Sequence, residues 1–249
     1  MIDKEIERCR YDNRAKLLLN ANKFDHVNKI PVYLNAPYEY YFKLLEREGE
    51  QSKILEIGSG MGENTKLLLD FGFDIVASDI SPKSVEIMNK RFSNYAGFSS
   101  KVADMEKLPF NNESFDIVCC AGSLSYGDNE AVINEIYRVL KPEGKIIVVD
   151  SLNNNLIYRL NRYIHYLKGD RSKSTLARMP TLSLLEKYGE KFGFSDTRYF
   201  GSIVWLFPIL SIFFSEDVLS KISSWIDKKF RIKKSAFKFV MLVSKEKKC

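Results

Sequence analysis

The sequence predicts an α/β fold, a mostly parallel sheet with helices on both faces. Two observations carry this. From Lys53 onward, short apolar runs alternate with segments of helical spacing. Repeated β–α–β order implies parallel strands joined by crossover helices. The first run, Lys53–Ile57, also enters a glycine-rich turn, Gly58-Ser59-Gly60-Met61-Gly62, ahead of a helical segment. Composition agrees: 249 residues, 45% of them hydrophobic, supply a large core. Disorder, collagen and coiled coil are excluded as the main architecture.

Residues 1–50 read as helical and polar. Within them lies an aromatic-rich stretch from Tyr33 to Phe42, broken by Pro31 and Pro37. Lys53–Ile57 is a buried strand and Gly62–Phe71 a helix. Asp74–Ser78 is the second strand. Ser81-Pro82 is a helix start, with a capping hydroxyl followed by a first-turn proline, and that helix runs towards Tyr95. Lys101–Ala103 is a short strand and Phe115–Cys120 an apolar one. Asn129–Leu140 carries Val132, Ile133, Ile136, Val139 and Leu140 at helical spacing. Lys141–Gly144 is a turn, and Lys145–Val149 the fifth strand. Beyond Asp150 the alternation loosens. Residues 152–180 are polar, aromatic and basic, helical in their middle. Thr181–Phe192 is a helix capped by Gly193, Ser195–Gly201 a strand, residues 202–234 an apolar and then basic insertion, and Phe237–Ser244 a last strand.

The net charge of +6 is uneven. Lys221–Cys249 holds ten basic and two acidic residues, which leaves the first 220 at −2. A near-neutral body argues against nucleic acid as a partner. Cys9, Cys119, Cys120 and Cys249 show no C-x-x-C spacing and only two histidines are present, so no metal site is expected. Cys119 and Cys120 read as buried free thiols of a reducing compartment. Met1–Arg10 is charged and lacks an apolar signal core. Ile203–Phe214 is too short to span a bilayer. The expectation is a cytoplasmic protein that touches a membrane surface at most.

The strongest chemical signal is Glu56-Ile57-Gly58-Ser59-Gly60-Met61-Gly62. Glycines allow positive φ and close approach of a ligand, and the helix start behind them favours negative charge. A dinucleotide fingerprint, G-x-G-x-x-G, requires glycine where this chain has Glu63, so a pyrophosphate would meet a carboxylate. A nicotinamide-dependent oxidoreductase is disfavoured on that ground. The pattern E-x-G-x-G-x-G instead resembles the first motif of class I S-adenosylmethionine (SAM)-dependent methyltransferases. Further stretches agree in order: Asp79 at the end of the second strand, Ala103-Asp104-Met105 after the third, Ser114–Ala121 leading into a Gly-Ser loop, and Asn134–Lys145. The wording is similar to the small-molecule branch of that class across residues 52–151. It extends weakly to Tyr11-Asp12-Asn13-Arg14-Ala15, which is similar to a lid motif of many relatives.

The resemblance implies a Rossmann-like class I methyltransferase: a seven-stranded, mostly parallel sheet with an antiparallel last strand, in one domain over residues 1–249. Residues 1–50 would be a helical lid, 52–151 the SAM-binding core, 152–236 the substrate-side elaboration and cap, and 237–249 the last strand and basic tail. It implies that Glu56, Gly58, Ser59, Gly60 and Gly62 line SAM and its product S-adenosylhomocysteine. Asp79, beside Ile80, would hold the ribose as a bidentate acceptor. Asp104 and Met105 would hold adenine, Ala121 would flank the site, and Tyr11 and Arg14 would close over the methionine end.

Methyl transfer from a sulfonium needs in-line alignment and no acid, because the leaving group departs neutral. A hydroxyl or amine acceptor still has to lose a proton. The acceptor should enter above the carboxyl ends of the strands, where Tyr126 and Asp128 lie after the fourth. On a helix, Tyr158, Arg162 and His165 share one face, and Arg159, Tyr163 and Tyr166 the next. Aromatics with Arg and His suit a sugar or ring. His165 is therefore the leading candidate base, with Asp128 behind it, against the plain alternative of a packed or solvated histidine. Tyr126, Tyr158, Arg162 and Tyr163 are the candidate acceptor contacts. Arg171, Lys173 and Arg178 extend the basic character. The stretch 151–208 also resembles bacterial methyltransferases associated with surface-glycan biosynthesis, which implies a glycan-like acceptor methylated at oxygen. Val204–Leu210, with Trp205 as an interfacial tryptophan, and Ile212–Phe214, followed by Lys228, Lys229, Arg231, Lys233 and Lys234, fit either peripheral attachment to an anionic membrane through residues 203–234 or a cap over the pocket. Two rivals remain, a quinone or lipid methyltransferase and a catalytically idle SAM-binding scaffold.

Overall fold

The computed structural model describes residues 2–21, 32–49, 51–168, 172–230 and 232–246. Pro31, Arg171, Arg231 and Cys249, each part of an expectation above, lie outside them.

Two helices precede the sheet: α1 (Ile2–Ala21) and α2 (Asn35–Glu46), the latter entered through a 3-10 turn at Val32–Leu34. Then follow β1 (Lys53–Ile57), α3 (Thr65–Asp70), β2 (Asp74–Asp79), α4 (Pro82–Arg91), β3 (Phe98–Val102), β4 (Phe115–Ala121), α5 (Asn129–Val139) and β5 (Leu140–Ser151). The C-terminal part comprises α6 (Leu156–Leu167), α7 (Lys173–Ala177), α8 (Leu182–Phe192), β6 (Gly193–Phe200), α9 (Phe207–Leu210), α10 (Glu216–Phe230) and β7 (Lys238–Lys245). The strands form one seven-stranded sheet in the order β3-β2-β1-β4-β5-β7-β6. Every pairing is parallel except the two made by β7. This is the Rossmann-like methyltransferase fold expected from the sequence, with the antiparallel last strand in its expected place.

The core explains why the central strands read as continuous apolar runs. Successive residues feed opposite faces, and both faces are covered. Leu55, Val118, Cys120, Ile146 and Val148 pack with Ile133 and Ile136 of α5 and Leu184 and Tyr188 of α8. Ile54, Ile75, Ile117, Cys119 and Ile147 pack with Tyr41 and Leu45 of α2, Leu68 of α3 and Met88 of α4. Cys119 and Cys120 are buried free thiols, one on each side of the sheet.

Several boundaries differ from expectation, each for a local reason. The helix placed at Gly62 starts at Thr65, because Gly62 has φ +85° and cannot sit in a right-handed turn. The third strand is Phe98–Val102 rather than Lys101–Ala103; it is a polar edge strand with no buried alternation to betray it. The helix from Pro82 stops at Arg91, short of Tyr95. Lys141–Gly144 is an excursion inside β5, between the pairs Phe115–Leu140 and Ile117–Lys145, with Glu143 at φ +64°. Pro37 does not break the aromatic stretch. It sits in the first turn of α2, where a missing N–H is tolerated.

Candidate active site

The sheet order reverses between β1 and β4, and a crevice opens there at the carboxyl ends of the strands. The crevice is a cavity of about 600 Å³, within the usual range for a small-molecule site, roughly 300–1,000 Å³.

One wall is the sheet edge. After β1 the chain runs through Gly58, Gly60 and Gly62, all with positive φ. The three do different jobs. A Cβ on Gly58 would lie 2.4 Å from Ser123, and one on Gly62 would lie 2.4 Å from the Phe92 ring. Those two glycines let the loop pack against its own fold. Gly60 has only the Glu63 carboxylate near that position, at 3.6 Å, and is the open face of the loop. Gly58, Ser59, Gly60 and Glu63 line the cavity; Gly62 does not. The loop is fixed from below. Ser59 donates from its backbone N–H (3.0 Å) and its hydroxyl (2.9 Å) to the Ser78 carbonyl.

Asp79, at the end of β2, accepts from the Gly60 N–H on Oδ2 and the Ser81 N–H on Oδ1, each at 2.9 Å. It faces the cavity beside Ile80. Burial pushes its carboxyl up to about 6 against those two hydrogen bonds, with Glu63 and Asp12 adding repulsion. Glu56 does not line the cavity. It is buried beneath the loop, accepts from the Thr65 hydroxyl, and is pushed up to about 8 by burial. It anchors the start of α3 rather than touching a ligand.

Asp104, Met105, Ala103, Ala121, Gly122, Ser123 and Tyr126 continue this wall. Asp104 takes the Lys4 ammonium of α1 at 2.6 Å, and Lys4 also bridges to Glu106 at 2.5 Å.

The opposite wall is helical. Lys4, Glu7, Tyr11 and Arg14 come from α1, and Asn35, Tyr38, Glu39 and Phe42 from α2. The Tyr11 hydroxyl donates to that of Tyr126 at 3.0 Å, joining the helical wall to the sheet wall, and burial holds Tyr11 well above its ordinary range. Asp12 ties α1 to the sheet wall by accepting from the Ser81 hydroxyl at 2.5 Å and the Lys83 N–H at 3.2 Å. Glu7 is buried, paired with Arg10 and accepting from Thr175 of α7 at 3.0 Å. The expected lid residues Tyr11 and Arg14 are thus in the site. Lys4, Glu7 and the α2 residues were not foreseen. The aromatic stretch 33–42 was the only sequence signal for the α2 residues.

The expected acceptor residues of α6 are elsewhere. Tyr158 is buried, donates to the Gly201 carbonyl at 3.1 Å and packs on Phe237. Arg162 donates to the Leu152 carbonyl at 2.8 Å and the Asn153 side chain at 2.9 Å. Both hold α6 to the body. Tyr163 and His165 do not line the cavity, and neither do Lys173 and Arg178. Asp128 caps α5, accepting from the Ala131 N–H at 3.1 Å, and is outside the cavity too. Trp205 does not reach out as an interfacial residue; it is half-buried and donates to the Ser235 hydroxyl at 3.1 Å.

Five carboxylates line the cavity (Glu7, Glu39, Glu63, Asp79 and Asp104) against two cations, Lys4 and Arg14. Such a lining favours a cationic ligand and opposes a pyrophosphate. SAM, a sulfonium with one ammonium and one carboxylate, meets that condition. Among the described residues no group of His, Cys, Asp and Glu is arranged to hold a metal ion.

Comparison with known proteins agrees with this geometry. A family model described as a methyltransferase domain matches residues 55–148. A sterol 4-C-methyltransferase of Caenorhabditis elegans is 39% identical over 111 residues, which is 43% of this chain and 33% of that protein. A demethylmenaquinone methyltransferase of Thermotoga maritima is 30% identical over 139 residues, 54% of this chain and 59% of that protein. The chain therefore spans less than two thirds of either curated relative. The solved structure of a Haemonchus contortus phosphoethanolamine N-methyltransferase in complex with SAM superposes with a TM-score of 0.58 at 19% identity, covering 84% of this chain and 53% of that one. Residues 55–148 thus match a methyltransferase domain, set in a chain with the Rossmann-like methyltransferase fold.

Proposed function

We propose that this protein is a SAM-dependent methyltransferase acting on a small acceptor, with residues 1–249 working as one domain. The observation that carries it is the cavity itself. It has an open glycine face at Gly60, a ribose-competent carboxylate at Asp79, an adenine-competent carboxylate at Asp104, and an acidic lining suited to a sulfonium. SAM supplies an activated methyl group. The residues present would hold it along the sheet wall, with its methionine end towards Gly58, Gly60 and Tyr11. The chain's own contribution is alignment: the helical wall fixes the acceptor, and Tyr11 with Tyr126 excludes water. Glu39, exposed on the helical wall, is the carboxylate available to take a proton from the acceptor.

For the acceptor, two readings compete. A glycan-like acceptor methylated at oxygen draws its support from the resemblance of 151–208, but the residues that would grip it lie outside the cavity. A lipid-borne acceptor such as a quinone is favoured by one observation: large apolar side chains of α6, α9 and α10 stand exposed. The sterol and menaquinone relatives point the same way. We favour the lipid-borne acceptor. The test is transfer of labelled methyl from SAM to demethylated quinones, sterols and nucleotide sugars presented in parallel. Label in an extractable lipid supports this reading. Label only in the sugars restores the glycan reading, and no label in any acceptor despite SAM binding favours an idle scaffold.

A further inference from the structure

Helix α6 is amphipathic the wrong way round. It buries Tyr158 and Arg162 and exposes Leu156, Ile157, Leu160, Tyr163, Ile164 and Leu167. At 100° per residue the exposed six fall within about a third of the helix circumference. They form one apolar stripe, with Leu160 62% exposed. A second apolar group stands out at the end of α9, where Ile212 and Phe213 are 75% and 74% exposed. A third is the outer face of α10, where Val218, Ile222 and Trp225 lie at helical spacing, with Trp225 57% exposed.

These groups belong to connected elements. Tyr158 of α6 bonds to Gly201, and Asn155, the α6 cap, contacts Ser235 at 3.3 Å. Ser235 also receives Trp205, just before α9. Asp227 of α10 accepts from the Gly201 and Ser202 N–H groups. Asp227 is buried by those bonds, so among the described residues from Val218 to Lys234 the exposed charges are the cations Lys221, Lys228, Lys229, Lys233 and Lys234; the exposed acids Glu216 and Asp217 stand at the opposite, first-turn end of α10. The Lys229 ammonium lies 4.9 Å from the Trp225 ring centre.

We infer that this face rests on an anionic lipid leaflet, with Phe213 and Trp225 inserted among the headgroups and the lysines on lipid phosphates. Leucine, phenylalanine and tryptophan ringed by lysine is the chemistry of interfacial attachment. A second copy of the chain fits less well, because a two-fold contact would set this lysine-rich face against itself. Docking also has a route to the site. Glu216 at the start of α10 accepts from the Val32 N–H, immediately before α2, and Thr175 of α7 bonds Glu7. Both attachments meet the helical wall of the cavity. The docking is read from the surface alone; only its purpose, delivery of a lipid-borne acceptor, rests on the proposed function.

The experiment uses the whole chain carrying Trp205→Phe, so that Trp225 is the only tryptophan. Vesicles of phosphatidylcholine alone, and of phosphatidylcholine mixed equally with phosphatidylglycerol, are compared by sedimentation and by tryptophan emission. The expected result is co-sedimentation and a blue shift with the anionic vesicles only. Binding should weaken about fivefold for each of Lys221→Gln, Lys228→Gln and Lys229→Gln, and vanish in Leu160→Glu/Phe213→Glu. SAM titration of each variant separates loss of docking from loss of fold or cofactor site. Absence of vesicle binding by a SAM-binding protein overturns the inference. So does binding that survives Leu160→Glu/Phe213→Glu, or a dimer in light scattering that this double substitution dissolves.

Discussion

The two walls of the cavity are built on different principles. The sheet wall is made of backbone: the positive-φ glycines Gly58, Gly60 and Gly122, the ends of four strands, and a carboxylate held by two N–H groups. The helical wall is made of long side chains from α1 and α2, joined to the body by an ammonium, two tyrosine hydroxyls and a buried Glu–Thr contact. A wall of backbone can hold one invariant ligand with little freedom. A wall of side chains can vary with the acceptor while the first stays fixed. Substitutions on the two walls should therefore behave differently.

The largest effect is expected beneath the sheet wall. Gly62→Ala places a methyl 2.4 Å from the Phe92 ring at φ +85°. It should destabilise the fold by about 3 kcal/mol through overpacking and left-handed strain, read by denaturant unfolding. An unchanged midpoint would mean that the loop is looser than its contacts indicate.

The next effect is a pH dependence of the same wall. The Asp79 carboxyl is raised from 3.8 to about 6. Between those values the folded chain keeps a proton that the unfolded chain has lost, so the contribution of this carboxyl to stability falls as pH rises through that window and is level above it. Binding runs the other way. Ribose hydroxyls donate to the carboxylate, so SAM affinity should rise to a plateau above pH 7 and fall by up to about tenfold per unit below 6. Asp79→Asn should abolish that dependence. Glu56, raised from 4.5 to about 8, gives a second window in which stability falls as pH rises, and Glu56→Gln should flatten it.

On the helical wall the effects should be smaller. Lys4 occupies Asp104 through a partly exposed ion pair. Removing it in Lys4→Met frees that carboxylate for an adenine amino group. SAM affinity should tighten by about two- to fivefold, the scale of an exposed pair. Weaker binding in calorimetry would show instead that Lys4 organises the site.

How much of this was legible in sequence follows the same division. The sheet wall is local. Gly58 to Gly60, Asp79 and Asp104 each sit within a few residues of a strand end, where the motif resemblance looked for them, whereas Glu56 and Gly62 of the same stretch support the loop from beneath. The helical wall draws on residues far away in the chain. Lys4 meets Asp104 across a hundred positions, and no short-range pattern marks that meeting. The α6 segment misled for a physical reason. Tyr, Arg and His at helical spacing describe a binding face equally well as a buried strut, and here Tyr158 and Arg162 are the strut. Leu156, Leu160 and Leu167, which would ordinarily mark the core, face outward. The smallest expected effect follows: His165→Ala and Asp128→Asn should leave kcat/KM within about twofold, as substitutions remote from the chemistry do. A large fall in either, measured on the favoured acceptor, would return that residue to the active site.

SAM binding underlies every role proposed for the cavity. The decisive measurement is calorimetric titration of the purified chain with SAM, S-adenosylhomocysteine and NAD, beside Asp79→Ala. The first two should bind at micromolar concentrations. The substitution should cost about a hundredfold, the loss of hydrogen bonds to a charged acceptor. Binding of NAD in place of SAM, or no binding of any of the three by a folded chain, would contradict it.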